Sequence, residues 1–519
     1  MSRDFAARST RIIPLCLSVC ALLAVGASSL AAESAPAPNI VYILCDDLGY
    51  GDVHALNPER SKIPTPNFDR LVAEGMTFTD CHSGSSVCTP TRYGILTGRY
   101  AWRTRLQSGV LDGFGEPLVA PDRLTVATLL KQHGYATAAI GKWHLGLRFG
   151  PNRWTDPIAD GPLQHGFDSF FGISASLDMP PFAFIENDRF TQEPTVTKTW
   201  MRSGPAAKDF EAVDVLPELT RRAKAFIAAQ AAGAQPGDAK TTASAPPAAA
   251  KPGRPFFLYL ALASPHTPLV PSPEWQGKSP LGEYGDFVMQ TDWAVGQVME
   301  ALAAAGVAQN TLLVLTSDNG FAPYVGVAKL ESQGHYPSAD FRGYKADIWE
   351  GGHHIPFIAR WPARVKPGSR SGQLLCLTDL MATAADLVAA HLPAAAGEDS
   401  VSFLPALVGA DAGPLREAVV HHSVNGVFAI RAANWKLELC PGSGGWAEPK
   451  DAAARKQGLP SSQLYDLAAD PGERQNVVAT KAAEAQRLTS LLEQCVARGR
   501  STPGEDQKND ATINLWKTK

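Results

Sequence analysis

The chain has 519 residues, 45% of them hydrophobic and 19% charged, and carries a formal charge of −4. That is enough material for one large globular domain and a smaller one. The composition is that of an ordinary globular protein, and the charge excludes one that coats a polyanion such as a nucleic acid.

Residues 1–31 have the three parts of a secretory signal: basic Arg3, Arg8 and Arg11, an apolar stretch from Ile12 to about Leu30, and small residues ending at Ser29-Leu30-Ala31. Cleavage near Ala31 predicts a secreted or periplasmic protein. The segment carries Arg3, Asp4, Arg8 and Arg11, a net +2, so the mature charge becomes −4 − 2 = −6. An uncleaved membrane anchor is the alternative, but Ser and Ala dilute the apolar stretch. Lipid modification of Cys20 is disfavoured because bulky Val19 precedes it. No later run is long and apolar enough to span a bilayer. Cys16 and Cys20 leave with the signal, and Cys45, Cys81, Cys88, Cys376, Cys440 and Cys495 remain, with no CxxC pattern among them.

After an Ala- and Pro-rich linker at 32–38, residues 39–44 form a continuous apolar, β-branched run, as in a strand buried on both faces of a parallel sheet, and it ends in Asp46-Asp47. Residues 67–74 have helical spacing. In Cys88-Thr89-Pro90-Thr91-Arg92 the proline suits a helix's first turn, which places Cys88 at a helix N-terminus, where amides and dipole favour an anion, with Arg92 one turn later. From the residues alone this is either a thiolate nucleophile or a buried cysteine before a helix. A helix at 125–133 leads to a strand at 135–140 followed by Lys142-Trp143-His144, and a helix at 216–229 to a strand at 256–263 followed by Ser264-Pro265-His266. Between that pair, residues 231–254 are Ala-, Pro- and Gly-rich and read as a disordered insertion. A helix at 287–305 then leads to a strand at 311–316 followed by Asp318-Asn319.

This alternation predicts an α/β fold, a large, mostly parallel sheet flanked by helices. Ligands in such sheets bind at the carboxyl ends of the strands, where these runs place acids, a lysine and histidines. The catalytic domain is assigned to 39–403. From 404 the alternation stops: residues 418–422, 427–431 and 435–439 read as antiparallel strands and 482–497 as a helix, which gives a smaller subdomain over 404–519. The stretch Gln463-Leu464-Tyr465-Asp466-Leu467, with Asp470-Pro471-Gly472-Glu473, is rich in turn formers.

Cys88-x-Pro90-x-Arg92 with Thr97-Gly98-Arg99 resembles the signature of the type I sulfatases of the alkaline phosphatase superfamily. Asp46-Asp47-Leu48-Gly49-Tyr50-Gly51-Asp52, Gly141-Lys142-Trp143-His144-Leu145-Gly146, Ser264-Pro265-His266-Thr267-Pro268, Ser317-Asp318-Asn319-Gly320 and Gly343-Tyr344-Lys345 with Glu350-Gly351-Gly352 extend the likeness over nearly the whole mature chain. The resemblance implies a sulfuric ester hydrolase in which a formylglycine-generating enzyme oxidises Cys88 to formylglycine. One hydroxyl of the hydrated aldehyde attacks sulfur, and the other collapses to expel sulfate. It implies a single divalent cation held by Asp46, Asp47, Asp318, Asn319 and residue 88, Ca²⁺ first and Mg²⁺ as the alternative. Lys142 and Lys345 match sulfate-binding lysines. Arg92 matches the arginine that holds the modified residue, His144 a base for release, and His266 an acid near the leaving oxygen. Ser176 matches a further sulfate contact. The chain departs from the pattern in Thr91 for serine and His354 for arginine.

A secreted enzyme meets polysaccharides, so sulfated glycans are the expected substrate class ahead of small aryl sulfates. Trp102, Arg103, Arg105, Trp154 and Asp178 are candidate sugar contacts. A phosphoesterase on the same fold is disfavoured by the one-metal ligand set, and a silent carbohydrate-binding relative by the retention of every ligand and lysine.

Overall fold

The computed structural model describes residues 36–233, 253–410 and 413–517. The signal segment, most of the linker and most of the 231–254 insertion lie outside them.

Asn39–Cys45 is buried from its second residue onward. Its apolar side chains alternate between two cores: Ile40, Tyr42 and Leu44 join one, while Val41, Ile43 and Cys45 join the other. A strand apolar on both sides can only be covered by two helical layers, and the helices divide accordingly. Cys88–Thr97, Val126–Gln132 and Leu380–Leu387 contribute to the first core, and Pro66–Glu74, Val215–Ala231 and Glu283–Ala304 to the second.

Between them lies a ten-stranded sheet in the order Ser369–Ser371, Met76–Phe78, Phe357–Arg360, Thr311–Ser317, Asn39–Cys45, Phe256–Ala261, Ala136–Lys142, Ser169–Ile173, Ile185–Glu186, Arg189–Phe190. The five strands from Thr311–Ser317 to Ser169–Ile173 are all parallel. Phe357–Arg360 runs antiparallel to both of its neighbours. All four expected parallel strands are present, with ends shifted by no more than two residues.

A second, antiparallel sheet of Ala418–His422, Phe428–Ala432, Trp435–Glu438 and Gln463–Asp466 is covered by the helix Ala482–Ala497 through Leu488 and Leu492. The turn-rich stretch at 463–467 thus contains its fourth strand. Tyr100 and Trp102, from just beyond the Cys88 helix, share that core. No helix among the described residues is long and apolar enough to cross a membrane.

Candidate active site

The register of the parallel strands brings their carboxyl ends level: Cys45 lies opposite Ser317, Leu44 opposite Ala261, Ala261 opposite Gly141, and Lys142 opposite Ile173. Gly141, at φ +122°, is required there, because a Cβ would lie 1.8 Å from the Ala261 carbonyl oxygen. Backbone bonds join the segments that follow the strands, Asp46 N–H to Ser264 O at 3.0 Å and Asp318 N–H to Cys45 O at 3.1 Å.

Over these ends sits the helix Cys88–Thr97, buried along its whole length. Extended Val87 precedes it, Pro90 falls in its first turn, and Gly98 closes it at φ +65°. Thr91 occupies the position where serine was expected, and its hydroxyl donates to Ser85 O at 2.9 Å, tying down the segment before Cys88. The Cys88 Sγ is 3.7 Å from Asp46 Oδ1. Burial, opposed by Lys142 and Lys345, pushes the thiol up to about 12. It is protonated at neutral pH, so the bare cysteine is not a thiolate nucleophile.

Three carboxylates at this point meet three cations. Lys142 Nζ donates to Asp46 Oδ2 at 2.6 Å. Lys345 Nζ lies 2.7 Å from both oxygens of Asp47. Arg92 donates to Asp318 Oδ2 through Nε at 3.0 Å and Nη2 at 2.7 Å, and through Nη1 to Lys142 O at 3.1 Å. Burial opposes ionisation of Asp46, yet Lys142, His266 and Arg92 outweigh it and hold that carboxyl well below the usual range. Burial and Asp46 raise Asp318 to about 6 in spite of Arg92. Asp47 is likewise raised, by burial first.

Asn319 donates to Asp47 Oδ1 at 2.7 Å and to Gly320 O at 2.9 Å, while its own Oδ1 is buried without a partner. A buried acceptor costs free energy unless something occupies it. Three carboxylates beside this free amide oxygen form an all-oxygen donor set of the kind a hard divalent cation takes. The ligating atoms of Asp46, Asp47, Cys88 and His266 lie within 4.8 Å of one another. A second cluster, His82, His353 and His421, does not fit an ion. His353 and His421 stack face to face at 3.8 Å and 12°, and an ion cannot lie in the planes of two stacked rings.

The histidines differ in their free nitrogen. His144, at φ +56°, donates from Nε2 to Leu111 O at 2.7 Å, which fixes the tautomer and leaves Nδ1 as a buried, unpartnered lone pair. Burial, Lys142 and Arg92 keep the ring neutral. His266 places Nδ1 2.5 Å from Thr267 O and Nε2 3.6 Å from Asp47 Oδ2, and burial and Lys345 push it down to about 4. None of the ten residues from Asp46 to Lys345 described so far is more than 4% exposed. Ser176 is buried in the loop after Ser169–Ile173, with its hydroxyl unpartnered, like that of Ser174, whose carbonyl accepts from His144 N–H at 2.9 Å.

Two expected sugar contacts are corrected. Trp102 and Arg103 are buried and unavailable to a sugar: Arg103 grips Asp399 through Nε at 2.8 Å and Nη2 at 2.7 Å, and Trp102 stacks on Tyr100. Trp154 packs against Phe190. His354 is a packing residue, bonded to Glu350 at 2.9 Å and stacked on Phe341 at 3.9 Å. Asp178 is buried, one carboxylate oxygen has no partner, and its charge reaches His266. The Leu111 carbonyl that sets the His144 tautomer left no signal in the sequence, because any residue supplies a carbonyl.

The sulfatase family model matches residues 38–390. The chain belongs to the sulfatase family. An N-acetylgalactosamine-6-O-sulfatase of Bacteroides thetaiotaomicron is 34% identical over 522 residues, spanning 90% of this sulfatase and 94% of the relative. Arylsulfatase A of Bos taurus is 34% identical over 487 residues, spanning 90% and 89%. A solved structure connected with the metabolism of multiple glycosaminoglycans by Bacteroides thetaiotaomicron superposes with a TM-score of 0.76 at 30% identity, covering 89% of this sulfatase and 99% of that chain. The sulfatase is accordingly a sulfuric ester hydrolase with the alkaline phosphatase-like fold.

Proposed function

We propose that this sulfatase hydrolyses sulfate esters on sulfated carbohydrates, using a formylglycine made from Cys88 and a single divalent cation, Ca²⁺ or alternatively Mg²⁺. The observation that carries this reading is the meeting of Cys88, at a buried helix N-terminus, with three carboxylate–cation pairs and the unpartnered amide oxygen of Asn319. The similarity to an N-acetylgalactosamine-6-O-sulfatase supports a sugar substrate.

Asp46, Asp47, Asp318 and Asn319 would hold the cation, whose charge favours ionisation of a neighbouring hydroxyl and offsets that of the sulfate. Formylglycine, when hydrated, supplies one hydroxyl to attack sulfur and a second to let the sulfate go. The protein's own groups do the rest. Arg92 pins Asp318 and the Lys142 carbonyl, so the cation site and a sulfate-binding lysine move as one body. Lys142 and Lys345 balance charge on the transferring group, and Ser176, whose buried hydroxyl has no partner, is assigned as a further sulfate contact. His144 receives the release-step proton on Nδ1, the nitrogen that Leu111 leaves free. His266 is neutral in the free enzyme and donates to the leaving oxygen only once the anionic substrate has raised its proton affinity.

Cys88 is 2% exposed, so a formylglycine-generating enzyme must reach it before folding is complete. This agrees with maturation along a secretory or periplasmic route. The test is mass spectrometry of the Cys88 peptide from protein produced with that enzyme, combined with assays on sulfated sugars, a chromogenic aryl sulfate and phosphodiesters. The expected result is the aldehyde mass together with sulfate release. Turnover of phosphodiesters alone would overturn the reading.

A further inference from the structure

Among the described residues two large aromatic side chains are exposed, and they touch each other beside the site. Tyr324 is 48% exposed and Trp446 36%, with ring centroids 5.6 Å apart and tilted by 48°. Tyr324 lies five residues after Asn319, on the turn Pro323–Val325, and Lys345 Nζ is 6.0 Å from its ring centre. Its hydroxyl feels the charges of Lys345 and Asp47. Trp446 comes from the C-terminal part of the chain, and its loop is fastened to the segment that carries Lys345. Ile348 N–H donates to Ser443 O at 2.8 Å. Asp347 Oδ1 accepts from Trp446 N–H at 2.7 Å and Ala447 N–H at 2.9 Å. Gly445 is held so close that a Cβ would meet Ala346 O at 2.3 Å. The backbone of Trp446 is therefore fixed by these bonds while the residue stays partly exposed.

Exposing two adjacent aromatic rings costs free energy that burying either would recover. A rigid aromatic wall that continues from a cationic pocket suits a ligand with an anionic group and an apolar face. A sulfated pyranoside has both, since its ring presents a face of C–H bonds. We propose that Tyr324 and Trp446 form a sugar-stacking wall that positions the pyranose ring of a sulfated sugar while its sulfate sits at Lys345. This rests on the reading above and extends it: specificity for sugars is contributed by a loop of the C-terminal subdomain.

The test separates the two ideas by measuring binding, which needs no turnover. In the Cys88→Ala background, calorimetry gives Kd for a 6-O-sulfated N-acetylgalactosamine disaccharide and for inorganic sulfate, with and without Trp446→Ala or Tyr324→Ala. Each aromatic change is expected to weaken the disaccharide about 5- to 10-fold, the size of a stacking contact, and to move inorganic sulfate less than about 2-fold. Trp446→Phe keeps most of the disaccharide affinity, and the tryptophan emission change on sugar binding disappears with it. Equal losses for both ligands, or an unchanged disaccharide Kd, overturn the wall. Failure of inorganic sulfate itself to bind would instead strike the sulfatase site.

Discussion

Adding Ca²⁺ to chelator-treated protein is expected to raise its melting temperature, and more so when sulfate is present. Asp46, Asp47 and Asp318 are each paired with one cation, Lys142, Lys345 and Arg92, so the site is close to neutral before an ion arrives. A dication leaves it near +2, an excess that the sulfate anion matches, and each ligand must then raise the other's affinity by the same factor. At a concentration about 100 times its Kd, an ion that binds only the folded state contributes about 2.7 kcal/mol. Unfolding a domain of this size carries an entropy of roughly 1 kcal/mol/K, taking about 2.1 cal/mol/K per residue, so the ion alone should shift the melting temperature by about 3 °C. Differential scanning calorimetry with Ca²⁺, Mg²⁺ and sulfate, singly and together, measures both the shift and the coupling. Asn319→Ala and Asp318→Asn should flatten the ion response. Identical melting in every combination, or a full shift in Asn319→Ala, would refute the assignment of these oxygens to a cation.

Cys88→Ala should release no sulfate from any ester, and Cys88→Ser none unless the host has a serine-modifying maturase; turnover by the alanine variant is the contrary result. His144→Gln should lower kcat by about 10²- to 10⁴-fold at constant fold, as judged by circular dichroism, because it removes the free Nδ1 lone pair. His422 offers a pH test through stability alone. Burial and Lys517 push its pKa down to about 3, against about 6.5 in an unfolded chain. Below pH 6.5 the unfolded state therefore gains a proton that the native state refuses, and the residue's contribution to stability falls as pH falls. Between pH 7.5 and 5.5 that loss is about 1.4 kcal/mol. Denaturant unfolding of wild type and His422→Gln at both pH values should differ by this amount, and a difference independent of pH would contradict it.

Four of the five adjacent parallel strands were legible because each is an apolar run that ends sharply in a polar residue, and in this architecture that boundary is the site. Met76–Phe78 and Phe357–Arg360 were not, since three or four residues carry no period to recognise. The helix Glu283–Ala304 starts before its apolar spacing does, because in its first turn Glu283 answers the helix dipole and Asp286 is buried, accepting from the Gly277 and Ser279 N–H groups. Polar residues that are buried and bonded misled in the other direction. Arg103 read as a sugar contact although it belongs to Asp399, and Gln463 read as part of a turn although its amide donates to Cys440 O and Gly442 O inside the small sheet. The site itself shows the same limit. The family resemblance implied three acids, two lysines and an arginine, but the partners stand 96, 298 and 226 positions apart. Which charge meets which is decided by the register of the strands. A sulfatase site that is balanced pair by pair can be buried without a ligand at tolerable cost. The aromatic wall shows the converse, for no motif marks Tyr324 or Trp446 and only the anchoring of their loops around Lys345 brings them together.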